Sequence, residues 1–243
     1  MNPFRRTART QAPALPPDQA RIAWQAISLL LDYPSTEWAQ SHDAIRRAVA
    51  GLPEGVRMPL GSFLDHVASQ PLEQVQREYV VTFDHARRCC LFLTYFTFGD
   101  TRRRGVALVQ FKQAYRRAGL EFTGDELPDH LCVVLEFGAT ADHAAAEKLL
   151  TDYRAGVEML RLALQERSSP WAHLIVALCA TLPELDGEGL AAVQRLIEEG
   201  PPQEDVGLEG YALDPRLNPR PELDVPLDTK TDLGRTIPVG APS

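Results

Sequence analysis

From Asp18 to Glu199 the apolar side chains return every three to four residues, and no stretch alternates with period two between turn signals. A chain with that rhythm buries stripes rather than sheet faces, so it folds as helix packed on helix. Asp18 is the expected N-cap of the first helix. Ile22, Ala26, Leu29, Leu30 and Tyr33 form one stripe of it and Trp24, Ile27 and Leu31 a second, so burial on two sides is expected. Pro34 ends that helix and Ser35 can cap the next. Val75, Tyr79 and Phe83 lie four apart on one face. Leu108, Phe111, Tyr115 and Ala118 mark a face of a helix that Gly119 closes. Pro128 and Asp129 suit the first turn of a helix carrying Leu131, Val134 and Leu135. Residues 141–165 and 170–181 repeat the pattern, with Ser168-Ser169 before Pro170 as a cap, and Gly187 to Glu199 gives a last short helix. No repeat of 20–50 residues is present, so the expected fold class is all-α, a single-domain multi-helix bundle and not a solenoid.

The ends differ in composition. Residues 1–17 contain Pro3, Pro13, Pro16 and Pro17 with little apolar content and read as a flexible leader. Residues 200–243 hold eight prolines and eight acids with no apolar period, so they read as a disordered acidic tail that cannot bury enough surface to offset its ordering entropy. Residues 18–199 remain as the helical domain.

Charge and motif content remove several function classes. With 25 Lys+Arg against 33 Asp+Glu, the formal net charge of -8 opposes non-specific nucleic-acid binding. A nucleic-acid module built on Arg102 to Arg104 is therefore disfavoured. No apolar run approaches the ~18–20 residues that cross a bilayer, and Arg5-Arg6 is followed by no apolar signal region, so a cytoplasmic protein is expected. There is no P-loop, no GxGxxG and no nucleophile elbow. The cysteines Cys89, Cys90, Cys132 and Cys179 form no CxxC pair. A metal-binding alternative rests on His85 and Cys89, spaced i,i+4, with Cys90 beside them and His130 and Cys132 from another helix.

Two segments admit a functional account beside a structural one. If Asp100 or Thr101 caps the next helix, its first turn holds Arg102, Arg103 and Arg104 against the helix dipole, so either Glu121, Asp125, Glu126, Asp129 or Glu136 compensates them or one or more of the arginines is held for an anionic or polar partner. The stretch Leu91 to Phe98 is dense in aromatic residues, which suits core packing or an apolar groove for a peptide. Residues 84–119 contain eight Lys+Arg and two acids, and residues 120–138 five acids and no base. These blocks either neutralise each other across a helix interface or border a charged groove.

The run Arg77-Glu78-Tyr79-Val80-Val81-Thr82-Phe83-Asp84, then Leu93-Thr94-Tyr95, Gly99 to Gly105, Ala118-Gly119, Leu127-Pro128-Asp129-His130-Leu131 and Leu135-Glu136-Phe137 resembles, in order and spacing, the NarJ family of respiratory nitrate reductase assembly chaperones, also called the delta subunit of that enzyme. Leu30-Leu31-Asp32-Tyr33-Pro34 is similar to the family's early pattern. The likeness to the wider TorD-like chaperones is more distant: their Glu-Pro-x-Asp-His reads here Glu126-Leu127-Pro128-Asp129-His130, with the proline displaced by one. The resemblance implies an all-α chaperone without enzymatic activity or a cofactor of its own. It implies binding of the N-terminal segment of the nitrate reductase alpha (catalytic) subunit in the cytoplasm, while molybdenum cofactor and iron–sulfur cluster are inserted and before membrane attachment. Another molybdoenzyme of the same superfamily is the alternative client. The client-peptide residues expected, on the segregated charges of residues 84–138 and the apolar cleft such a peptide needs, are Tyr79, Phe83, Tyr95, Asp100, Arg102, Arg104, Glu121, Asp129, His130 and Glu136. The acids would meet a basic peptide, and the arginines would hold the acids in line.

Overall fold

The computed structural model describes residues 15–99, 101–124 and 126–200. The expectations for the leader before Leu15, for the tail beyond Gly200 and for Asp100 fall outside the described residues. Eleven α-helices and one 3₁₀ turn make up the described chain. They are α1 (Pro17–Leu31), α2 (Thr36–Val49), α3 (Glu54–Ala68) and α4 (Leu72–Phe83), then the 3₁₀ turn Arg87–Cys89. After these come α5 (Leu93–Phe98), α6 (Arg102–Arg117), α7 (Leu131–Thr140) and α8 (His143–Asp152). The last three are α9 (Arg154–Glu166), α10 (Ala172–Thr181) and α11 (Gly187–Glu199). The all-α expectation holds. The one departure among the described residues is a single antiparallel bridge, Phe92 with His130.

The core is organised on α1, which packs against α2, α7 and α10. Ala23, Trp24, Ile27, Leu30 and Leu31 are wholly buried there. Trp24 donates its indole N–H to Thr181 Oγ1 at 2.8 Å, so the one polar atom of a large core side chain is satisfied on α10. α7 approaches α1 closely because residue 138 is glycine. A Cβ there would lie 2.6 Å from the Trp24 ring and from Ala146. A second cluster gathers Phe63, Tyr79 and Phe83 edge-on around the buried Trp171, with ring centroids 5.7 Å apart.

Several sequence expectations are corrected. Asp18 is not the N-cap: that position is Pro16, and α1 starts on Pro17, two residues before an Asp18 cap would allow, because proline's fixed φ suits the first helical position; Asp18 becomes a first-turn acid. The first of the two expected stripes is only partly buried, since Ile22, Leu29 and Tyr33 are 42%, 43% and 47% exposed. The helix expected over 141–165 is two helices that break at Tyr153, where Thr151-Asp152-Tyr153 combines three residues of low helix propensity. Ser168-Ser169 caps no N-terminus. Ser168 takes φ 52° and ends α9 as a glycine would, with the Ser169 N–H donating to the Leu164 carbonyl at 2.9 Å. Pro128 and Asp129 precede α7 instead of opening it. Ser35 does cap α2, accepting from the Trp38 N–H at 3.1 Å.

Candidate functional site

The cleft grows from three helix ends. α1 stops at Asp32 because Pro34 follows. α4 stops at Asp84, and α7 starts at Leu131 after the bridge between Phe92 and His130. That bridge is closed by Leu93 N–H to the Asp129 carbonyl at 3.1 Å and by Leu131 N–H to the Leu91 carbonyl at 2.8 Å. Ser28 Oγ donates to the Cys132 carbonyl at 2.9 Å, pinning the C-terminal half of α1 to the first turn of α7. Between these elements lies an open cleft of about 480 Å³. Its apolar surface comes from Leu29, Tyr33, Tyr79, Phe83, Phe92 and Val133, and its rim from Asp32, Asp84, Glu126 and Glu136. Among the described residues no Lys or Arg lines it.

The charge placement runs against local preference. Asp32 and Asp84 sit at the carboxyl ends of α1 and α4, where the helix dipole already supplies partial negative charge. Acids there are disfavoured by roughly 0.3–1 kcal/mol each. The cleft therefore holds a negative potential that an entering cation relieves. Its titratable groups register the field. Burial pushes the Cys132 thiol up, and Asp32, Glu126 and Glu136 push it further. Burial raises Tyr79, with Asp32, Asp84 and Glu126 adding to the effect. Cys90 is pushed up to about 11, chiefly by burial, so it stays a thiol at neutral pH and supplies no thiolate nucleophile. His130 goes the other way: burial lowers it despite Glu126, Asp129 and Asp32, which leaves its ring neutral. The ring meets Phe92 edge-on at 5.3 Å.

Of the ten residues named from the sequence, Tyr79, Phe83, His130 and Glu136 line this cleft together. Asp129 lies behind its wall, fully buried. One oxygen of its carboxylate accepts from the Thr94 N–H at 3.1 Å and from Thr94 Oγ1 at 2.6 Å, so Asp129 caps α5 from outside that helix. Arg104 completes the group, with Nη2 3.8 Å from Asp129, Nε donating to Thr94 Oγ1 at 3.1 Å and the guanidinium 5.2 Å from the Phe92 ring centroid. Two of the three stacked cations at the start of α6, Arg102 and Arg103, remain exposed; Arg104 turns inward to this acid. Glu121 is exposed on the connection from α6 to α7, outside the cleft lining, and Tyr95 is half-buried on α5. The sequence reading missed Leu29, Asp32, Tyr33, Asp84 and Glu126. The signal that marks two of them was present: an acid at each of two helix carboxyl ends, just before Pro34 and just after Phe83.

The metal-binding alternative loses its premise in the same region. α4 ends at Phe83, so His85 is exposed in a turn while Cys89 is buried in the 3₁₀ turn, and the two share no helical face. Among the described residues no three His, Cys, Asp or Glu side chains converge in a metal-binding group. Among them, too, no helix is long and apolar enough to cross a membrane.

The fold has a counterpart among solved structures. It matches the crystal structure of a candidate redox enzyme maturation protein from Archaeoglobus fulgidus with a TM-score of 0.50, at 24% identity, covering 72% of this chain and 96% of that one. The sequence model of the nitrate reductase delta subunit matches residues 49–177, and the chain belongs to that family. A candidate nitrate reductase molybdenum cofactor assembly chaperone, NarJ of Bacillus subtilis, is 32% identical over 166 residues, spanning 68% of this chain and 90% of the relative. NarJ of Escherichia coli is 32% identical over 151 residues, spanning 61% and 64%. The nitrate reductase-like protein NarX of Mycobacterium tuberculosis is 38% identical over 165 residues, but this chain spans only 24% of its length.

Proposed function

We propose that this protein is a cytoplasmic, system-specific chaperone that performs no chemistry of its own. It holds the N-terminal segment of the nitrate reductase alpha subunit in the acidic cleft and keeps that subunit competent for molybdenum cofactor and iron–sulfur cluster insertion before membrane attachment. The observation that carries the reading is the lining of the cleft: exposed Leu29 and Tyr33, half-buried Tyr79 and Phe83, and four acids around them. An amphipathic segment with apolar and basic side chains is complementary to both features. Apolar burial supplies affinity at roughly 25 cal/mol per Å² before ordering costs. The acids set orientation and association rate. Family membership and the chaperone names of the NarJ relatives support the choice of client. Among the described lining residues, burial pushes Cys90, Cys132 and Tyr79 up, so these thiols and this phenol stay protonated at neutral pH.

The test is calorimetric titration with a synthetic peptide copying the first twenty residues of the alpha subunit from the same organism. Asp32→Lys and Glu136→Lys place cations on exposed positions of the rim, so the fold survives and affinity drops tenfold or more, about 1.4 kcal/mol. Added salt weakens the wild-type interaction and has less effect on the variants. Equal affinity in all three folded proteins would remove the cleft from client binding.

A further inference from the structure

The acidic cleft does not end at Leu29. A second trough of about 440 Å³ lies between α1, α2 and α7, lined by Ile22, Ala26, Ala44, Ile45 and Ala139, and it shares Gln25 and Leu29 with the cleft. The two make one furrow along α1, apolar at the helix start and acidic at its end. Among the described lining residues the one cation at the apolar end, Arg21, is engaged: Nη1 donates to the carbonyls of Gly138 and Ala139 at 3.3 and 3.0 Å. These bonds, with Ser28 on Cys132, set α7 antiparallel to α1, which brings Glu136 alongside the middle of the furrow.

The chain enters α1 at the apolar end of this furrow. The fourteen residues before Leu15 carry Phe4, Arg5, Arg6 and Arg9, and no acid occurs before Asp18. We propose that this segment lies back along α1 as a resident occupant of the furrow, its arginines among Asp32, Asp84 and Glu136, and that a client must displace it. The proposal rests on the cleft being the client site. Reach permits it. From Pro17 to Asp32 an α-helix rises about 22 Å at ~1.5 Å per residue. The nine residues from Leu15 back to Arg6 span at most about 30 Å when extended. Arg9, six residues out, reaches about 20 Å, the level of Ser28. The other terminal segment does not fit: residues 201–243 carry eight acids against four bases, and like charge repels it from the rim.

The experiment uses the full chain with p-benzoylphenylalanine in place of Phe4. Irradiation is expected to give cross-links at monomer size, mapped by mass spectrometry to the C-terminal half of α1 or to α7. Cross-links only between chains, only elsewhere, or none would overturn the proposal. A second arm compares the wild type with full-length R5E/R6E/R9E, using the alpha-subunit peptide described above. If the leader fills the furrow in about 70–90% of molecules, reversing its charge tightens that peptide roughly three- to tenfold, since apparent affinity scales with the open fraction. Unchanged affinity would also overturn the proposal. In a third arm, a labelled peptide of residues 1–14 added to the charge-reversed protein is expected to bind, and to be released by 0.5 M salt on the order expected for screened pairs; failure to bind overturns it as well. The first and third arms contain no client, so a leader that cross-links while the client peptide fails to bind removes the client reading and the displacement step with it, and leaves the leader's seat in the furrow standing.

Discussion

The sharpest test of the architecture is the removal of Asp129. This carboxylate is fully buried, accepts two hydrogen bonds from Thr94 and lies 3.8 Å from Arg104, whose side chain is 16% exposed. Hydrogen bonds to a charged acceptor contribute about 1.5–3 kcal/mol each. Breaking a buried pair by deleting one partner costs about 3–5 kcal/mol. The contributions share atoms and do not add. Asp129→Ala is therefore expected to lose about 3–5 kcal/mol, a large share of the stability of a marginally stable domain. Asp129→Asn keeps an acceptor for Thr94 but loses the charge, and is expected to lose about 1–3 kcal/mol. Urea denaturation followed by far-UV circular dichroism measures both, with an unchanged slope indicating a true stability effect. At low temperature, folded Asp129→Asn retains affinity for the client peptide, because the residue stands behind the cleft wall. A loss below 1 kcal/mol for Asp129→Ala would refute the reasoning. So would a stable Asp129→Asn that binds the peptide tenfold more weakly, which would make this carboxylate a contact residue.

Two further outcomes follow from the packing and the titration of buried groups. Gly138→Ala gains about 1 kcal/mol in helix propensity. It also forces a methyl group to 2.6 Å from Ala146 and from a Trp24 ring anchored by its bond to Thr181, and such overpacking costs typically about 1–3 kcal/mol or more; a melting temperature below wild type is expected. His42, His130 and His143 are all lowered, first by burial, so the unfolded chain takes up protons below about pH 6.5 that the folded chain refuses. Stability therefore falls as pH drops from neutral toward 5, and calorimetric melts at several pH values are expected to show a shallower slope for His42→Gln/His143→Gln. Glu158, where burial would raise the carboxyl but the Arg161 hydrogen bond and the charges of Arg154 and Arg161 hold it below 4.5, adds to the loss only at more acid pH.

Helix identity was legible because period and punctuation agree: Pro34 with Ser35, Gly119 after Ala118, and Gly187 to Glu199 fall where the structure has them. Boundaries that depend on tertiary partners were not. Asp129 reads as a first-turn acid of α7 until Thr94, 35 residues upstream, is known to lie within its reach. The break at Tyr153 leaves no glycine or proline behind it. The site was half legible for the same reason. Tyr79, Phe83, His130 and Glu136 belong to segments with an unusual pattern, whereas Leu29 and Tyr33 look like members of a core stripe. Only the packing of α1 against α7 and α10 turns those two residues outward.

That packing also fixes when the protein can work. Among the described helices α1 leaves the ribosome first, but α7 begins at Leu131 and α10 at Ala172. At ~5–20 residues per second, about 5–20 s of synthesis separate the first helix from the nearer of these two partners. During that interval the part of its apolar stripe that faces α7 and α10 waits uncovered, and the furrow lacks the wall that α7 supplies. Competence to receive a client thus arrives late in translation, all at once, when the second bank closes on the first.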